Sequence, residues 1–236
     1  MAETALKVDG IHKSFGGHHA IKGVSFEVHP GQVLGLIGPN GAGKTTIFNL
    51  INGIYSIDRG EVALGGRSVT RVRPAEIARM GVGRTFQVPR TFNDMTLAEN
   101  LMVPLSKLRH SLADAKVSSM LERIGLGDSA SKRAGELSGG QRKLLEVVRA
   151  MMSEPRLLIL DEPFSGTSSD VVDLMIRMIK EWAQQGTACL VISHDIVSMP
   201  RLCDDVVVLV GGAVLTSGKF ADVRQDERVV EAYIGQ

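Results

Sequence analysis

The stretch Gly38-Pro39-Asn40-Gly41-Ala42-Gly43-Lys44-Thr45 decides the fold. It fits the pattern G-x-x-x-x-G-K-[ST], which is typical of a loop that holds phosphate groups. The letters QVLGLI before it are apolar and of strand length, and TIFNLING after it has apolar residues at helical spacing. The motif therefore lies between a predicted strand and a predicted helix, the context that a phosphate-binding loop requires.

The residue types of this loop suit a nucleoside triphosphate. Glycines let the backbone curl so that its N–H groups face phosphate oxygens, and the following helix adds its N-terminal dipole. Lys44 supplies a cation for the β- and γ-phosphates, and the Thr45 hydroxyl suits Mg²⁺. A glycine-rich turn that binds nothing is the alternative interpretation. The predicted nucleotide-binding residues here are Gly38, Pro39, Asn40, Gly41, Ala42, Gly43, Lys44, Thr45 and Thr46.

Composition narrows the class of protein. The 236 residues suffice for one domain with a subdomain, and 44% hydrophobic with 22% charged residues is ordinary for a globular protein. Lys and Arg number 27 against 26 Asp and Glu, so no basic excess predicts a nucleic-acid partner. The two cysteines lack metal spacing and indicate a reducing compartment. No apolar run has the length of a signal peptide core or a membrane span.

Apolar periodicity predicts one α/β domain over residues 1–236. Strands are expected at 6–15 and 20–28, with His18 and His19 in the turn between them, and at 82–86 just before Gln87. From Val88 to about Met152 the spacing is helical throughout, and Thr96 with Glu99 fits a capping box. We therefore predict a helical subdomain at 88–152, inserted into a sheet-containing core formed by 1–87 and 153–236.

A second constellation follows the apolar run LLIL. Asp161 and Glu162 stand at the carboxyl end of this predicted buried strand, the edge at which ligands bind in open α/β sheets. Asp161 would hold Mg²⁺, and Glu162 would polarise or deprotonate the attacking water. Structural capping or solvation is the alternative for an isolated acidic pair.

The letters LSGGQ, residues 137–141, directly precede the helical run RKLLEVVRAMM. Ser138 is a good N-cap, and Gly139 and Gly140 leave the amides of the helix bare, which predicts a second anion site. Because one nucleotide has little use for two such sites, we expect Ser138, Gly139, Gly140 and Gln141 to bind the γ-phosphate held by a second protomer. A plain helix cap is the alternative.

Three further residues are candidates by position. Gln87 and His194 each end a predicted strand, where each side chain could point at the phosphate edge. Phe15 ends the first strand beside a glycine pair, where it could stack on a nucleotide base. A structural role is the alternative for each of the three.

Taken together, these residues resemble the ATP-binding cassette ATPases of membrane transporters, over nearly the whole chain. The phosphate loop, Gln87, LSGGQ, LILDE and His194 occur in the order of that family. The resemblance implies a P-loop NTPase with a RecA-like core, an antiparallel β subdomain and an inserted helical subdomain. It implies that two protomers sandwich two ATP molecules and Mg²⁺, with Lys44, Glu162 and His194 catalytic, Thr45, Gln87 and Asp161 at the metal, and Phe15 on the adenine.

The segments GVGRTFQVPRTFNDMTLAENLMV and VVEAYIG look like the ATPases of branched-chain amino-acid importers. This resemblance implies a peripheral subunit without a transmembrane segment at the cytoplasmic face of the plasma membrane. Its expected partners are integral membrane permeases, a second identical or different ATPase and, indirectly, a periplasmic solute-binding protein. The transported solute itself is set by those partners.

Two departures from the family pattern stand out. The loop after Glu162 reads PFSGTSS, so Thr167-Ser168-Ser169 replaces the usual Leu-Asp/Asn-Pro, and Ser193 precedes His194 where an acidic residue is common. Neither change removes a phosphate or Mg²⁺ ligand, so hydrolysis is still expected. The alternative functions are an exporter ATPase for lipid or lipopolysaccharide, a soluble cassette ATPase in DNA repair or translation, and a nucleotide-binding regulator without turnover.

Overall fold

The computed structural model describes residues 4–195 and 198–234, which form an α/β fold with two sheets. The strands are β1 (Leu6–Phe15), β2 (His18–Val28), β3 (Val33–Ile37), β4 (Arg59–Leu64), β5 (Arg67–Ser68), β6 (Val82–Arg84), β7 (Leu157–Asp161), β8 (Ala188–Ser193), β9 (Asp205–Val210) and β10 (Ala213–Lys219). The helices are α1 (Lys44–Ile51), α2 (Pro74–Arg79), α3 (Leu97–Met102), α4 (His110–Arg123), α5 (Gly139–Met151), α6 (Ser169–Gln184), α7 (Met199–Leu202), α8 (Phe220–Val223) and α9 (Glu227–Ile234).

The six-stranded sheet, in the order β10-β9-β3-β8-β7-β6, positions the site. Its strands are parallel except β10, and β3, β7 and β8 are almost entirely buried because their apolar side chains pack on both faces. Ile37 pairs with Ser193, and Asp161 pairs with Ile192. Three strands therefore end at the same edge, and the residues that follow them come together there.

The second sheet is antiparallel, in the order β2-β1-β4-β5. Phe15 pairs with His18, so the turn between β1 and β2 contains only Gly16 and Gly17. The prediction that His18 and His19 lie in the turn was wrong. Gly16 takes a φ of 57°, and this left-handed conformation closes the hairpin in two residues and leaves both histidines in β2.

The described part of residues 88–152 contains helices and no strand, and only one isolated bridge joins Thr96 to Arg133. The Thr96–Glu99 capping box is present at the start of α3. Apolar side chains of α3, α4 and α5, such as Leu101, Leu121 and Leu144, pack in the same buried cluster as Leu158 and Leu160 of β7. The helical segment is thereby fastened to the central sheet.

The strand predicted at 82–86 is shorter than expected, because β6 ends at Arg84. The backbone N–H groups of Phe86 and Arg90 donate to the carboxylate of Glu146 on α5, at 3.5 and 2.9 Å. A side chain thus replaces a neighbouring strand as the acceptor, and Gln87 lies in a loop rather than at the end of the strand.

Three further observations concern the cysteines, membrane-spanning helices and the end of the chain. Cys189 in β8 and Cys203 before β9 are free thiols and fully buried, and burial raises the pKa of Cys189 to about 12. Within residues 4–195 and 198–234, no helix has both the length and the apolar character needed to span a membrane. The predicted terminal helix is α9, and Gly235 lies outside the described residues.

Candidate functional site

A cavity of about 350 Å³ opens at the shared edge of β3, β7 and β8. It is lined by Phe15, by residues 40–46 of the phosphate loop, by Gln87, by Asp161 and Glu162, and by His194. The structure thus gathers residues from five separate stretches of the sequence into one place. Ser138, Gly139, Gly140 and Gln141 are absent from the lining.

Two glycines of the loop are required by their surroundings. A Cβ added to Gly38 would lie 2.2 Å from the backbone oxygen of Leu209, so no side chain fits there. Gly43 has a φ of 103° and precedes α1 as its N-cap without a side-chain hydrogen bond. Because a glycine has no side chain to cap the helix, the backbone amides of the first turn of α1 are available to an anion.

The Lys44 ammonium is turned back onto its own loop. Its Nζ donates to the carbonyl oxygens of Gly38 at 2.6 Å and Pro39 at 2.9 Å. Burial lowers the pKa of Lys44, while the charges of Glu162 and Asp161 act to raise it. A phosphate that enters the cavity offers this cation two anionic oxygens in place of the two carbonyls.

Asp161 is the last residue of β7 and is only 4% exposed. Burial raises its pKa to about 6, the neighbouring Glu162 acts in the same direction, and Lys143 and Lys44 oppose both. No cluster of three or more His, Cys, Asp or Glu suited to a metal occurs in the described ranges. One carboxylate with the Thr45 hydroxyl fits Mg²⁺, which commonly takes one or two protein ligands and completes its shell with phosphates and water.

The Glu162 carboxylate is held by three donors. Its Oε2 accepts from the Ser193 hydroxyl at 3.0 Å, and its Oε1 accepts from the His194 backbone N–H at 3.0 Å and lies 2.7 Å from His194 Nδ1. Glu162 also has a φ of 49°, an unusual value for a residue with a side chain. Left-handed backbone of this kind concentrates at functional sites.

Phe15 stands at the open end of the cavity with 43% of its surface exposed. Tyr55 supports it edge-on, with ring centroids 5.2 Å apart, and Lys13 Nζ lies 5.4 Å from the ring centroid. An exposed, supported aromatic ring is suited to stacking against a planar base.

Sequence reasoning missed two charged residues of α5. Lys143 is 4% exposed and its Nζ donates to the Ser165 carbonyl at 3.5 Å, in the loop that follows Glu162. Glu146 is 2% exposed and holds the loop that carries Gln87, as described above. Their only signal in the sequence is the spacing of three, which places both on one face of a helix.

The neighbouring Arg149 adds to this anchorage of the Gln87 loop. Its guanidinium donates to the backbone oxygen of Arg90 and to Asn100 Oδ1, and it lies 4.8 Å from the Phe92 ring. Asn100 in turn accepts from the Phe92 N–H at 2.9 Å. The loop is thereby tied to both α3 and α5.

Ser138 is the N-cap of α5, as expected. Its hydroxyl accepts from the Gln141 N–H, and the Gln141 side chain accepts from the Ser138 N–H at 3.0 Å, which completes a capping box. Ser138 and Gly139 are exposed to solvent. This helix terminus therefore faces outward rather than into the cavity of its own chain.

The comparisons with known proteins point in one direction. Residues 21–165 match the family described as ABC transporter. A high-affinity branched-chain amino acid transport ATP-binding protein, BraF of Pseudomonas aeruginosa, is 36% identical, with 100% of both chains covered. LivG of Archaeoglobus fulgidus, a probable branched-chain amino acid transport ATP-binding protein, is 35% identical over 98% of this chain and 95% of its own.

Solved structures give the same result. A nucleotide-free ATP-binding cassette from an ABC transporter has a TM-score of 0.88 at 33% identity, covering 99% of this chain and 100% of that one. The ADP conformation of an ABC transporter cassette has a TM-score of 0.88 at 32% identity, with both chains fully covered.

The fold and the gathered site define a P-loop NTPase with an antiparallel β subdomain and an inserted helical subdomain. The chain belongs to the ABC transporter family. It is an ATP-binding cassette that hydrolyses ATP as a subunit of a transporter.

Proposed function

We propose that this chain is the ATP-hydrolysing subunit of an importer for branched-chain amino acids or related small solutes. The observation that carries the proposal is the full-length similarity to two ATPases named for that transport, in a chain where Phe15, residues 40–46, Gln87, Asp161, Glu162 and His194 line one cavity. The carboxylate of Glu162, which lines this cavity, supports ATP hydrolysis rather than nucleotide binding alone.

In this proposal each residue of the cavity has one task. Lys44 and the amides of residues 38–46 bind the phosphates, and the ring of Phe15 stacks on the adenine. Thr45, Asp161 and Gln87 would hold Mg²⁺, and the ion would supply positive charge to neutralise the phosphates. Glu162 orients and deprotonates the attacking water, and His194, next to it at 2.7 Å, contacts the γ-phosphate.

The proposed assembly is a dimer of ATPases, either two copies or this chain with a related one. Ser138, Gly139, Gly140 and Gln141 of each protomer face the γ-phosphate held by the other, which is supported by the exposure of Ser138 and Gly139 at the start of α5. Closure of this dimer on ATP drives two membrane permeases, with a solute-binding protein outside. The chain acts at the cytoplasmic face of the membrane.

We assign separate roles to two parts of the chain. Residues 1–87 with 153–236 form the nucleotide-binding core, and residues 88–152 form the helical subdomain that the permeases contact near Gln87. Support comes from the anchorage of that loop to Glu146 and Arg149.

The direct test is the variant Lys44→Ala, which removes the cation for the β- and γ-phosphates. We expect ATP hydrolysis to fall by about a hundredfold or more in a phosphate-release assay, since transition-state charge stabilisation is lost. Lys22→Ala serves as the control, because Lys22 is exposed on β2 and does not line this cavity. Unchanged hydrolysis by Lys44→Ala would refute the assigned site.

A further inference from the structure

The loop between α1 and β4 has no task in the proposed mechanism, yet it leads from the phosphate loop to the open end of the cavity. The helix α1 begins at Lys44, and the N–H groups of Ile54 and Tyr55 both donate to the backbone oxygen of Asn49 on that helix, at 2.8 and 3.2 Å. Through Tyr55 the same loop contacts Phe15, the last residue of β1. A short stretch of chain therefore joins both ends of the proposed nucleotide site.

Asp58 binds three consecutive residues just before Phe15. Its backbone N–H donates to the His12 oxygen at 3.0 Å, its Oδ1 accepts from Lys13 Nζ at 2.8 Å, and its Oδ2 accepts from the Ser14 N–H at 2.7 Å. A charged carboxylate makes such bonds stronger than neutral acceptors do. The end of β1 is thereby fastened to the loop, and with it the backbone that carries the ring of Phe15.

Tyr55 acts on the ring itself. The two rings are nearly perpendicular, at an interplanar angle of 74° and a centroid distance of 5.2 Å, which is a favoured aromatic arrangement. Phe15 lines the nucleotide cavity and Tyr55 does not. The contact therefore limits the rotamers open to the half-exposed Phe15 ring without covering the surface that faces the cavity.

We propose that Tyr55 and Asp58 are positioning residues for the base of the nucleotide, which act by holding Phe15 at a set place relative to the phosphate loop. A ring that is already held loses little rotamer freedom when a planar base stacks on it, so more of the stacking free energy appears as affinity. Both residues act through Phe15, so their effect on affinity requires that ring. The inference deepens the proposed function and rests on its stacking of adenine on Phe15.

The test measures the Kd of ADP with Mg²⁺ by calorimetry on the full-length chain, since ADP carries the base and is the product rather than the substrate of hydrolysis. We expect Tyr55→Ala to raise this Kd about three- to tenfold, because loss of the aromatic pair leaves the Phe15 ring free to rotate. Tyr55→Phe keeps the ring and should bind as the wild type does. Asp58→Asn loses the ion pair with Lys13 and should raise the Kd about two- to fivefold.

Phe15→Ala separates this inference from the proposed function. It should raise the Kd of ADP about tenfold or more, the effect of losing one stacked base. Tyr55→Ala added to it should change the Kd by less than about twofold, because the ring through which Tyr55 acts is gone. Ile54→Ala is the matched control, since Ile54 is the neighbouring residue, is similarly exposed and has no aromatic ring, and it should bind as the wild type does.

Each variant is titrated below its own melting temperature, measured without nucleotide. A wild-type Kd for Tyr55→Ala or for Asp58→Asn would overturn the inference, and so would an undiminished effect of Tyr55→Ala in the Phe15→Ala background. A wild-type Kd for Phe15→Ala is a different result, because it would refute the stacking of the base on Phe15, and this inference with it.

Discussion

The carboxylate of Glu162 is held in place by groups of its own chain. It accepts from Ser193 and His194, and its backbone N–H donates to the Ile192 oxygen at 2.8 Å, so both its side chain and its main chain are tied to β8 and the residue after it. A base held in this way loses little freedom on reaching the transition state.

We expect Glu162→Gln to hydrolyse ATP at least a hundredfold more slowly while it still binds ATP, because an amide accepts the same backbone N–H but takes up no proton from water. The trapped ATP should accumulate a closed dimer in size-exclusion chromatography. Glu154→Gln is the control, since Glu154 is the other described non-glycine residue with positive φ, at 50°, and is exposed. A monomer alone in the presence of ATP would contradict either the sandwich or the role of Glu162.

The buried ammonium of Lys143 predicts a trade between stability and activity. Burial lowers the pKa of Lys143 from 10.5, although Glu162, Glu146 and Asp161 act to raise it. At pH 7 the folded protein therefore keeps a buried charge at a net cost, and this cost fades as the pH rises from the folded pKa toward 10.5. Lys143→Met should melt at a higher temperature than the wild type, with a gain that is largest near pH 7 and shrinks by pH 10.

The same variant should hydrolyse ATP about tenfold more slowly, a barrier change of about 1.4 kcal/mol, with little change in KM. The reason is the loss of the counter-charge to Asp161 and Glu162 and of the contact with Ser165. Lys143→Arg keeps the charge and should retain most of the turnover. Equal turnover in Lys143→Met and the wild type would show that the lysine is only structural.

Two helices with the same kind of cap allow the proposed role of α5 to be separated from its stability. Ser138 and Thr96 both form capping boxes, and each should cost about 1 kcal/mol of unfolding free energy when changed to Ala. Only Ser138→Ala should also weaken the dimer that ATP induces, measured in the Glu162→Gln background by light scattering. An equal effect of both variants on dimerisation would leave Ser138 as a plain helix cap.

Elements whose signals are local were predicted correctly. The order strand, loop and helix around Lys44 follows from one apolar run, the glycines and one helical period. The capping box of α3 follows from Thr96 and Glu99 three residues apart, and the N-cap of α5 follows from a serine before a helical run. The end of β6 was not predictable in this way. It is decided by Glu146, which lies 60 residues beyond Phe86 in the chain and competes for its N–H group.

The same distinction holds for the site. The phosphate loop, Asp161, Glu162 and His194 could be placed at one edge because each lies at the carboxyl end of a strand of the same parallel sheet. Gln87 lines the same cavity from the loop after β6. Lys143 and Glu146 were missed, since charged residues on an amphipathic helix predict a solvent-facing position unless the packing is known. Their roles arise only when α5 is docked.

At the scale of the whole molecule, the proposed function predicts which proteins bind this chain. We expect co-purification from gently solubilised native membranes to recover two polytopic permeases, and a second ATPase if the dimer is mixed, identified by mass spectrometry. A sample carrying the Lys44→Ala variant should recover the same proteins, because assembly does not need hydrolysis. Recovery only in the soluble fraction, alone or with nucleic acid, would contradict a transporter subunit.

Because both native cysteines are buried, this chain is suited to site-specific labelling with a fluorophore. Cys189 and Cys203 are inaccessible, and burial raises the pKa of each thiol, so neither presents a reactive thiolate to a maleimide while the chain is folded. A single cysteine introduced on the surface of each protomer would therefore carry a fluorophore alone, with both native thiols left in place. The approach and separation of two protomers then become distances that energy transfer reports in real time.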